Sequence, residues 1–403
     1  MKKSFAIAGL LAISGALSVI PAAAQTPPDA VRIGAIADLT GSYSAFTGEG
    51  VAAAMRMAAE DFGGKVLGKP IEILSGDSLQ KADVASIKAR QWFDRDGVAM
   101  VFEASDSAST LAVQKLGAEK KRITIHAAGP SAIVNSECTP FSAQWVYNTY
   151  AIANTVGPAV TAEGGDSWFF VSVDYAFGKV MEAETTAAVK ASGGTVVGSV
   201  KHPFGASDFA SFLMTAQASN AKVVALANGG SDTQNALRQA REFNVANGNT
   251  RVVPLIMFDT DVKGMGLEVT QGMSFATAFY WDRNEETRSW SNRFYKVRNA
   301  MPTMAHAGAY SATLHYLKAV EAAGTLDAAA VMEQMKKAPV QDVFASNGKL
   351  RADGLMEHDM YLVQVKSPAD SKGPWDLFTV RRTIPGAQAY HSLAASTCPL
   401  VKK

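Results

Sequence analysis

The sequence predicts an α/β protein with two similar doubly wound parallel-sheet lobes. Three observations lead to this fold class: strands and helices alternate over residues 31–126, the alternation starts again over residues 167–257, and no low-complexity linker separates the two series. Such alternation is typical of parallel sheets that are covered by helices on both faces. The length of 403 residues and the 48% hydrophobic composition favour two domains over one.

The first series begins with a buried strand that ends at Thr40-Gly41-Ser42. A helix follows, because small and apolar residues recur there at helical spacing until Gly63-Gly64 ends the pattern. We predict strands at 31–39, 71–74, 98–102 and 123–126, and helices at 51–62, 82–94 and 109–119.

The second series follows the same rhythm. We predict strands at 167–173, 195–200, 223–227 and 252–257, helices at 179–192, 209–218 and 233–243, an extended segment at 273–280, further helices at 286–299, 305–323 and 328–337, and a strand-rich region at 340–383. Extended hinge segments are expected near residues 145, 278 and 355. This divides the chain into an N-terminal lobe of residues 25–145 plus 279–355 and a C-terminal lobe of residues 146–278 plus 356–403.

Residues 1–24 read as a secretory signal peptide. Lys2 and Lys3 precede an uncharged apolar stretch, and Ala22-Ala23-Ala24 before Gln25 is a small-residue cleavage site. A membrane anchor is the alternative, but the apolar run is short for a bilayer. Loss of the two lysines changes the formal charge from +1 to −1, so we expect no binding to nucleic acid or to an anionic membrane.

The chain contains two cysteines, Cys138 and Cys398. In an exported protein they are expected to form a disulfide that ties the C-terminal tail to the middle of the chain. Two free buried thiols are the alternative.

The sequence lacks the common enzyme signatures. It contains no nucleophile elbow, no phosphate-binding loop and no His-Glu-x-x-His helix, and its six histidines lack metal-ligand spacing. Glu103, Asp106 and Asp174 offer only a remote case for an exported hydrolase. We therefore expect no enzyme activity, no cofactor and no metal site.

Three short motifs carry a resemblance to a known family. They are Ile33-Gly34-x3-Asp38-Leu39-Thr40-Gly41, Asp174-Tyr175-Ala176-Phe177-Gly178, and Gly229-Gly230 after a later strand. In this order the chain resembles the substrate-binding proteins of branched-chain amino-acid-type ABC importers, the Leu/Ile/Val-binding group with the type I periplasmic binding fold. The resemblance covers essentially the whole chain after the signal peptide.

This resemblance implies a periplasmic clamp that closes its two lobes on a small carboxylate or amino acid across a three-segment hinge. The implied partners are an inner-membrane ABC permease and its ATPase subunits, and the protein is expected to be a monomer. The absence of a lipobox cysteine near the cleavage site implies a freely diffusing protein of a Gram-negative periplasm. A ligand-sensing receptor subunit with the same fold is the alternative function.

Hydroxyl-bearing and small residues follow two neighbouring strands of the first series. Ser105, Ser107 and Ser109 open a predicted helix, where a ligand carboxylate can accept hydrogen bonds from hydroxyl and backbone N–H groups. Ordinary helix capping by Ser107 or Ser109 is the alternative. The next strand ends at Ala127, Ala128 and Gly129, which allow close backbone approach. In the family that the chain resembles, amino-acid binders often carry threonine at the position of Gly129.

Four aromatic residues are candidates for the wall of the site. Phe46 matches the family position whose ring covers the ligand, Tyr150 lies near the first hinge, and Tyr175 and Phe177 lie on the loop of the second lobe. Core packing is the alternative role for each ring.

An amino-acid ligand also needs an acid to pair with its ammonium group. The family places that acid where Thr260 stands here, and the neighbouring Asp259 can serve only after a small shift. Ser231 replaces an aromatic residue that often follows the two glycines. Helix capping is the alternative for Asp259. Two ligand classes stay open, an aliphatic amino acid and a carboxylate without an amine, and the departures favour the organic acid.

Overall fold

The computed structural model describes residues 29–248 and 250–402, so the predicted signal peptide lies outside the described residues. The strands are β1 (Val31–Ala37), β2 (Lys65–Val66), β3 (Lys69–Asp77), β4 (Val98–Ala104), β5 (Ile123–His126), β6 (Ser142–Gln144), β7 (Ser167–Val173), β8 (Thr195–His202), β9 (Val223–Ala227), β10 (Arg251–Pro254), β11 (Ser274–Thr277), β12 (Lys349–Leu350), β13 (Met356–Glu357), β14 (Met360–Val365) and β15 (Phe378–Ile384).

The helices alternate with these strands. They are α1 (Gly48–Asp61), α2 (Ala82–Asp94), α3 (Ser107–Lys120), α4 (Thr149–Ala162), α5 (Ala176–Ala191), α6 (Ala210–Ala218), α7 (Ser231–Glu242), α8 (Asp259–Met265), α9 (Leu267–Thr270), α10 (Glu285–Arg298), α11 (Met304–Ala323), α12 (Ala328–Lys337) and α13 (Gly386–Ala389), with short 3-10 helices at Ser131–Val134 and Leu393–Ala395.

The first lobe is built on a sheet in the order β2-β3-β1-β4-β5-β6, in which β3, β1, β4, β5 and β6 are parallel. Helices α1, α2 and α3 cover it, and α11 returns late in the chain to pack against α1. Gly34 in β1 lets the ring of Trp92 lie directly on the sheet, since a Cβ atom there would be 2.4 Å from that ring. Such close contact between helix and strand gives the core its dense packing.

The second lobe is built on the parallel sheet β10-β9-β7-β8. A smaller antiparallel sheet, β11-β14-β15, joins the same core, in which Phe275, Val363 and Phe378 are buried together with Val171. The predicted fold class of two α/β lobes with parallel sheets is therefore confirmed. Helix α4 was not predicted.

The C-terminal tail returns to the first lobe. Cys138 and Cys398 form a disulfide with Cα atoms 5.7 Å apart, which confirms the predicted pairing. Close by, the backbone amide of Thr397 donates to the side-chain oxygen of Asn135 at 3.3 Å. None of the helices in residues 29–248 and 250–402 has the length and apolar character to cross a membrane. The same residues contain no cluster of side chains suited to holding a metal ion.

Candidate ligand-binding cleft

A small cavity lies where the carboxyl ends of the strands of both lobes converge. Most of its lining residues come directly after β1, β4, β5, β6, β7, β9 and β10. The first lobe contributes Tyr43, Phe46, Thr47, Ala104, Ser105, Ser107, Ala127, Ala128, Gly129 and Ala305, the segment after β6 contributes Tyr147, and the second lobe contributes Tyr175, Phe177, Gly229, Ile256 and Phe258. Its volume of about 40 Å³ is room for only a few water molecules.

Asp38 shapes the first loop of the cavity. Its carboxylate accepts hydrogen bonds from the backbone amides of Gly41 at 2.7 Å and Tyr43 at 2.8 Å, and from the side-chain amide of Gln80 at 3.0 Å. Any side chain at position 41 would clash, because a Cβ atom there would lie 2.8 Å from the Asp38 oxygens. The Asp-x-x-Gly spacing after β1 thus builds the loop that carries Tyr43 and Phe46.

Four helices begin at the cavity. The lining residues Thr47, Ser107 and Tyr175 stand at or next to the first residues of α1, α3 and α5, and Gly229 lies two residues before α7. Two of these helices belong to each lobe. The unpaired N–H groups and the dipole at a helix N-terminus favour an anion. No charged side chain of the described residues lines this cavity, so the helix ends dominate its electrostatics.

Two hydroxyl groups at the cavity have no hydrogen-bond partner among the described residues, those of Ser107 and Tyr147. Ser105 differs, since its hydroxyl donates to the buried carboxylate of Glu103. Thr110 donates to the same carboxylate at 2.6 Å. The cavity therefore presents neutral hydroxyl donors beside the helix N-termini.

Aromatic rings from both lobes meet across the cleft. Phe46 of the first lobe and Phe258 of the second stack with ring centroids 3.8 Å apart and planes 6° from parallel. Tyr43 contacts Phe46 at 4.9 Å, and Tyr175 stacks on Phe177 at 6.2 Å. The Phe46–Phe258 contact joins the two lobes in a closed arrangement.

Of the residues selected from the sequence, eight line the cavity: Phe46, Ser105, Ser107, Ala127, Ala128, Gly129, Tyr175 and Phe177. The other four lie elsewhere. The Ser109 hydroxyl donates to Asp106 at 2.5 Å, and Asp106 caps α3 in place of either serine. The ring of Tyr150 packs edge-on against His391, with centroids 5.6 Å apart. Ser231 and Asp259 are the first residues of α7 and α8.

Asp259 and Asp261 form a buried acid pair beside the cavity. Burial raises the pKa of Asp259 to about 8, and one of its oxygens has no hydrogen-bond partner. Burial also raises the pKa of Asp261 to about 6, although Asp261 accepts hydrogen bonds from Gln234 at 2.7 Å and from the Phe258 amide at 3.0 Å. Capping of α8 is thus the role of Asp261, and the residue that reaches the cavity from this segment is Phe258.

Eight lining residues were not selected from the sequence: Tyr43, Thr47, Ala104, Tyr147, Gly229, Ile256, Phe258 and Ala305. Ile256 and Phe258 could have been selected from the sequence, because alternate residues at a strand end point to the same side. No sequence pattern marked Ala305 as a cavity residue, since α11 reaches the cleft only through its packing on the first lobe.

The whole arrangement is that of a known family. A family model described as Periplasmic binding protein matches residues 30–373. The chain belongs to the periplasmic binding protein family. Members of this family bind small molecules, generally without catalysis.

Solved structures extend this assignment over the chain. A periplasmic binding protein from Burkholderia mallei is 45% identical, with 93% of this chain and 100% of that chain covered and a TM-score of 0.90. A branched chain amino acid ABC transporter periplasmic ligand-binding protein from Burkholderia xenovorans LB400 is 40% identical, with 92% and 100% covered and a TM-score of 0.85.

A more distant structure shares the fold. It is an ABC transporter solute binding protein from R. palustris in complex with benzoate, 18% identical, with 88% of this chain and 97% of that chain covered and a TM-score of 0.79. The search of curated proteins gave no match.

Proposed function

We propose that this periplasmic binding protein is the solute-binding component of an ABC importer and captures a small organic carboxylate that lacks an ammonium group. The observation that carries the proposal is a cavity with four helix N-termini and no charged side chain among its described lining residues. The 40% identity to an ABC transporter ligand-binding protein supports the transport role.

The cavity offers favourable interactions to an anion. Each helix N-terminus carries the equivalent of about half a positive charge, and α1, α3, α5 and α7 are each long enough to develop it. The Ser107 and Tyr147 hydroxyls are free to donate to carboxylate oxygens, which accept several hydrogen bonds. No lysine or arginine is needed to hold a single carboxylate under these conditions.

The same cavity disfavours an ammonium group. The four helix N-termini repel a cation, and the described lining includes no carboxylate to pair with it. Asp259 does not fill this role, because it does not line the cavity and its raised pKa of about 8 keeps it largely protonated at neutral pH. An α-amino acid would therefore bury its charge without a partner.

The cavity is too small for such a solute in the closed arrangement. A pocket that holds benzene has a volume of about 150 Å³, whereas this cavity has about 40 Å³. The solute must enter while the lobes are apart, and Phe46 and Phe258 must separate to admit it. We propose that this motion occurs at the expected hinges near residues 145, 278 and 355, between the lobes defined by the sequence. The many rings favour an aromatic acid, the class that the R. palustris protein binds as benzoate.

The proposed site of action is the periplasm. Cleavage after Ala24 would release the protein into the periplasm, where the closed form would dock on an inner-membrane permease whose ATPase subunits drive transport. The protein is proposed to work as a monomer.

A thermal-shift screen of the mature chain against aromatic acids, aliphatic acids and amino acids tests this function. A ligand that binds only the native state raises the melting temperature, by an amount equivalent to about 2.7 kcal/mol at a concentration of 100 times Kd. We expect the largest rises with amine-free acids such as benzoate. Rises with leucine-like amino acids and none with the acids would overturn the proposal.

A further inference from the structure

The inner wall of the cleft contains a pair of tyrosines that joins the two lobes. Tyr43 follows β1 in the first lobe, and Tyr175 follows β7 in the second. Their hydroxyl oxygens lie 2.6 Å apart, which is a short hydrogen bond, and both residues line the cavity. Apart from this bond, neither hydroxyl has a hydrogen-bond partner among the described residues.

Counting protons shows that this pair is incomplete. Two hydroxyl groups carry two protons, and a bond between them uses only one. The second proton has no protein acceptor within the described chain. Burial raises the pKa of both tyrosines, so both hydroxyls stay protonated throughout the physiological range. The pair therefore always has one O–H group left to donate.

Phe204 covers one side of the pair. Its ring meets those of Tyr43 and Tyr175 edge-on, with centroids 5.7 Å from each, while its own side chain is 40% exposed. The loop that carries it is fixed by Asp232, which accepts a hydrogen bond from the Gly205 amide at 3.1 Å. With Phe204 on that side, the cleft is where an oxygen of a bound solute can reach the spare proton.

We propose that Tyr43 and Tyr175 act as one specificity-determining donor, in which one hydroxyl donates to the other and the remaining proton is donated to an oxygen of the bound solute. This assignment rests on the proposed function. It makes recognition of the solute depend on lobe closure, because the two hydroxyls belong to different lobes. A solute without an oxygen acceptor at this place leaves the donor unpaired and binds less tightly.

The two tyrosines are predicted to be unequal. Removing the hydroxyl that faces the solute loses the bond to the solute, whereas removing the other hydroxyl loses only the bond between the lobes. We expect one of Tyr43→Phe and Tyr175→Phe to weaken solute binding about tenfold or more and the other to weaken it less. The double variant should lose little more than the weaker-binding single variant. Two equal losses that add up in the double variant would mean that the pair acts only in packing.

Isothermal titration of benzoate and 4-hydroxybenzoate into the unaltered protein, both single variants and the double variant tests the assignment. Tyr150→Phe is the matched control, since Tyr150 does not line the cavity. Losses with both acids identify the carboxylate as the acceptor, and losses with 4-hydroxybenzoate alone identify the ring hydroxyl. If the unaltered protein binds an acid and all variants stay within about twofold of it, the assignment is overturned while the proposed function stands. If the unaltered protein binds no organic acid, the proposed function itself fails.

Discussion

The ligand cavity and the buried acid pair Asp259–Asp261 adjoin each other in the chain and differ completely in electrostatic character. Phe258 belongs to the cavity wall, and the very next residue begins α8 with a carboxyl of raised pKa. The cavity is lined by neutral groups and helix N-termini, whereas the acid pair is enclosed by protein. Asp259 therefore follows a cavity residue in the chain without lining the cavity itself.

The largest expected effect concerns stability and pH. Folded Asp259 keeps its proton up to about pH 8, whereas an unfolded aspartate loses it near pH 4, so the folded state binds more protons between these values. Stability therefore falls as pH rises across this range. From pH 6.5 to 8 the free energy of unfolding should drop by about 2 kcal/mol through Asp259 alone.

Urea unfolding of the unaltered protein and of Asp259→Asn at several pH values measures this. The Asn variant should lose the decline between pH 6.5 and 8. Asp261→Asn is the matched control and should keep most of the decline, because burial is the first cause of the raised Asp259 pKa and the charge of Asp261 is a lesser one. A decline that persists in Asp259→Asn would contradict the assignment, as would a loss of solute affinity in that variant.

The next effect tests whether closure shapes the cavity. Gly230 has φ +61°, and a Cβ atom there would lie 2.6 Å from the Ser42 carbonyl oxygen of the opposite lobe. Gly230→Ala should obstruct closure and weaken solute binding about twentyfold. Titration calorimetry measures this loss.

Gly272→Ala is the control, because Gly272 also has a positive φ of +78°, a Cβ atom there would meet nothing within 4 Å, and Gly272 does not line the cavity. It should bind within about twofold of the unaltered protein. Equal affinity of the two variants would show that the lobes need not approach this closely to hold the solute.

A smaller effect comes from placing an acid inside the cavity. Ser107→Asp would add a negative charge at the N-terminus of α3, and Ser107→Asn would add nearly the same shape without the charge. We expect the Asp variant to bind a carboxylate at least about tenfold more weakly than the Asn variant, because like charges repel strongly in a desolvated site. Equal binding by the two variants at pH 8 would place the carboxylate away from α3.

Sequence reasoning located most elements because strands and helices alternate with clear apolar periodicity. Helix α4 was not predicted, because Gly157 and Pro158 lie within it and these residue types usually end a helix. The antiparallel sheet β11-β14-β15 was seen only as a strand-rich region, because its partners lie far apart in sequence.

The site was predictable to the extent that it follows strand ends. Ser105, Ala127 and Tyr175 each stand one or two residues beyond a strand, and all three line the cavity. The sequence does not tell which of Phe258 and Asp259 lines the cavity. The answer depends on which of the two side chains points into the cleft in the segment between β10 and α8. The pairing of Tyr43 with Tyr175 depends on how the lobes close, which no local pattern encodes.

The most direct test of a cavity that excludes ammonium groups is isothermal titration with solutes that differ only in that group. Leucine and 4-methylpentanoate form one such pair, and phenylalanine and 3-phenylpropionate form another. We predict that in the better-binding pair the amine-free acid binds at least about tenfold more tightly, because the amino acid must bury an unpaired cation beside four helix N-termini. Tighter binding of leucine or phenylalanine would contradict this prediction and would require a carboxylate to reach the solute.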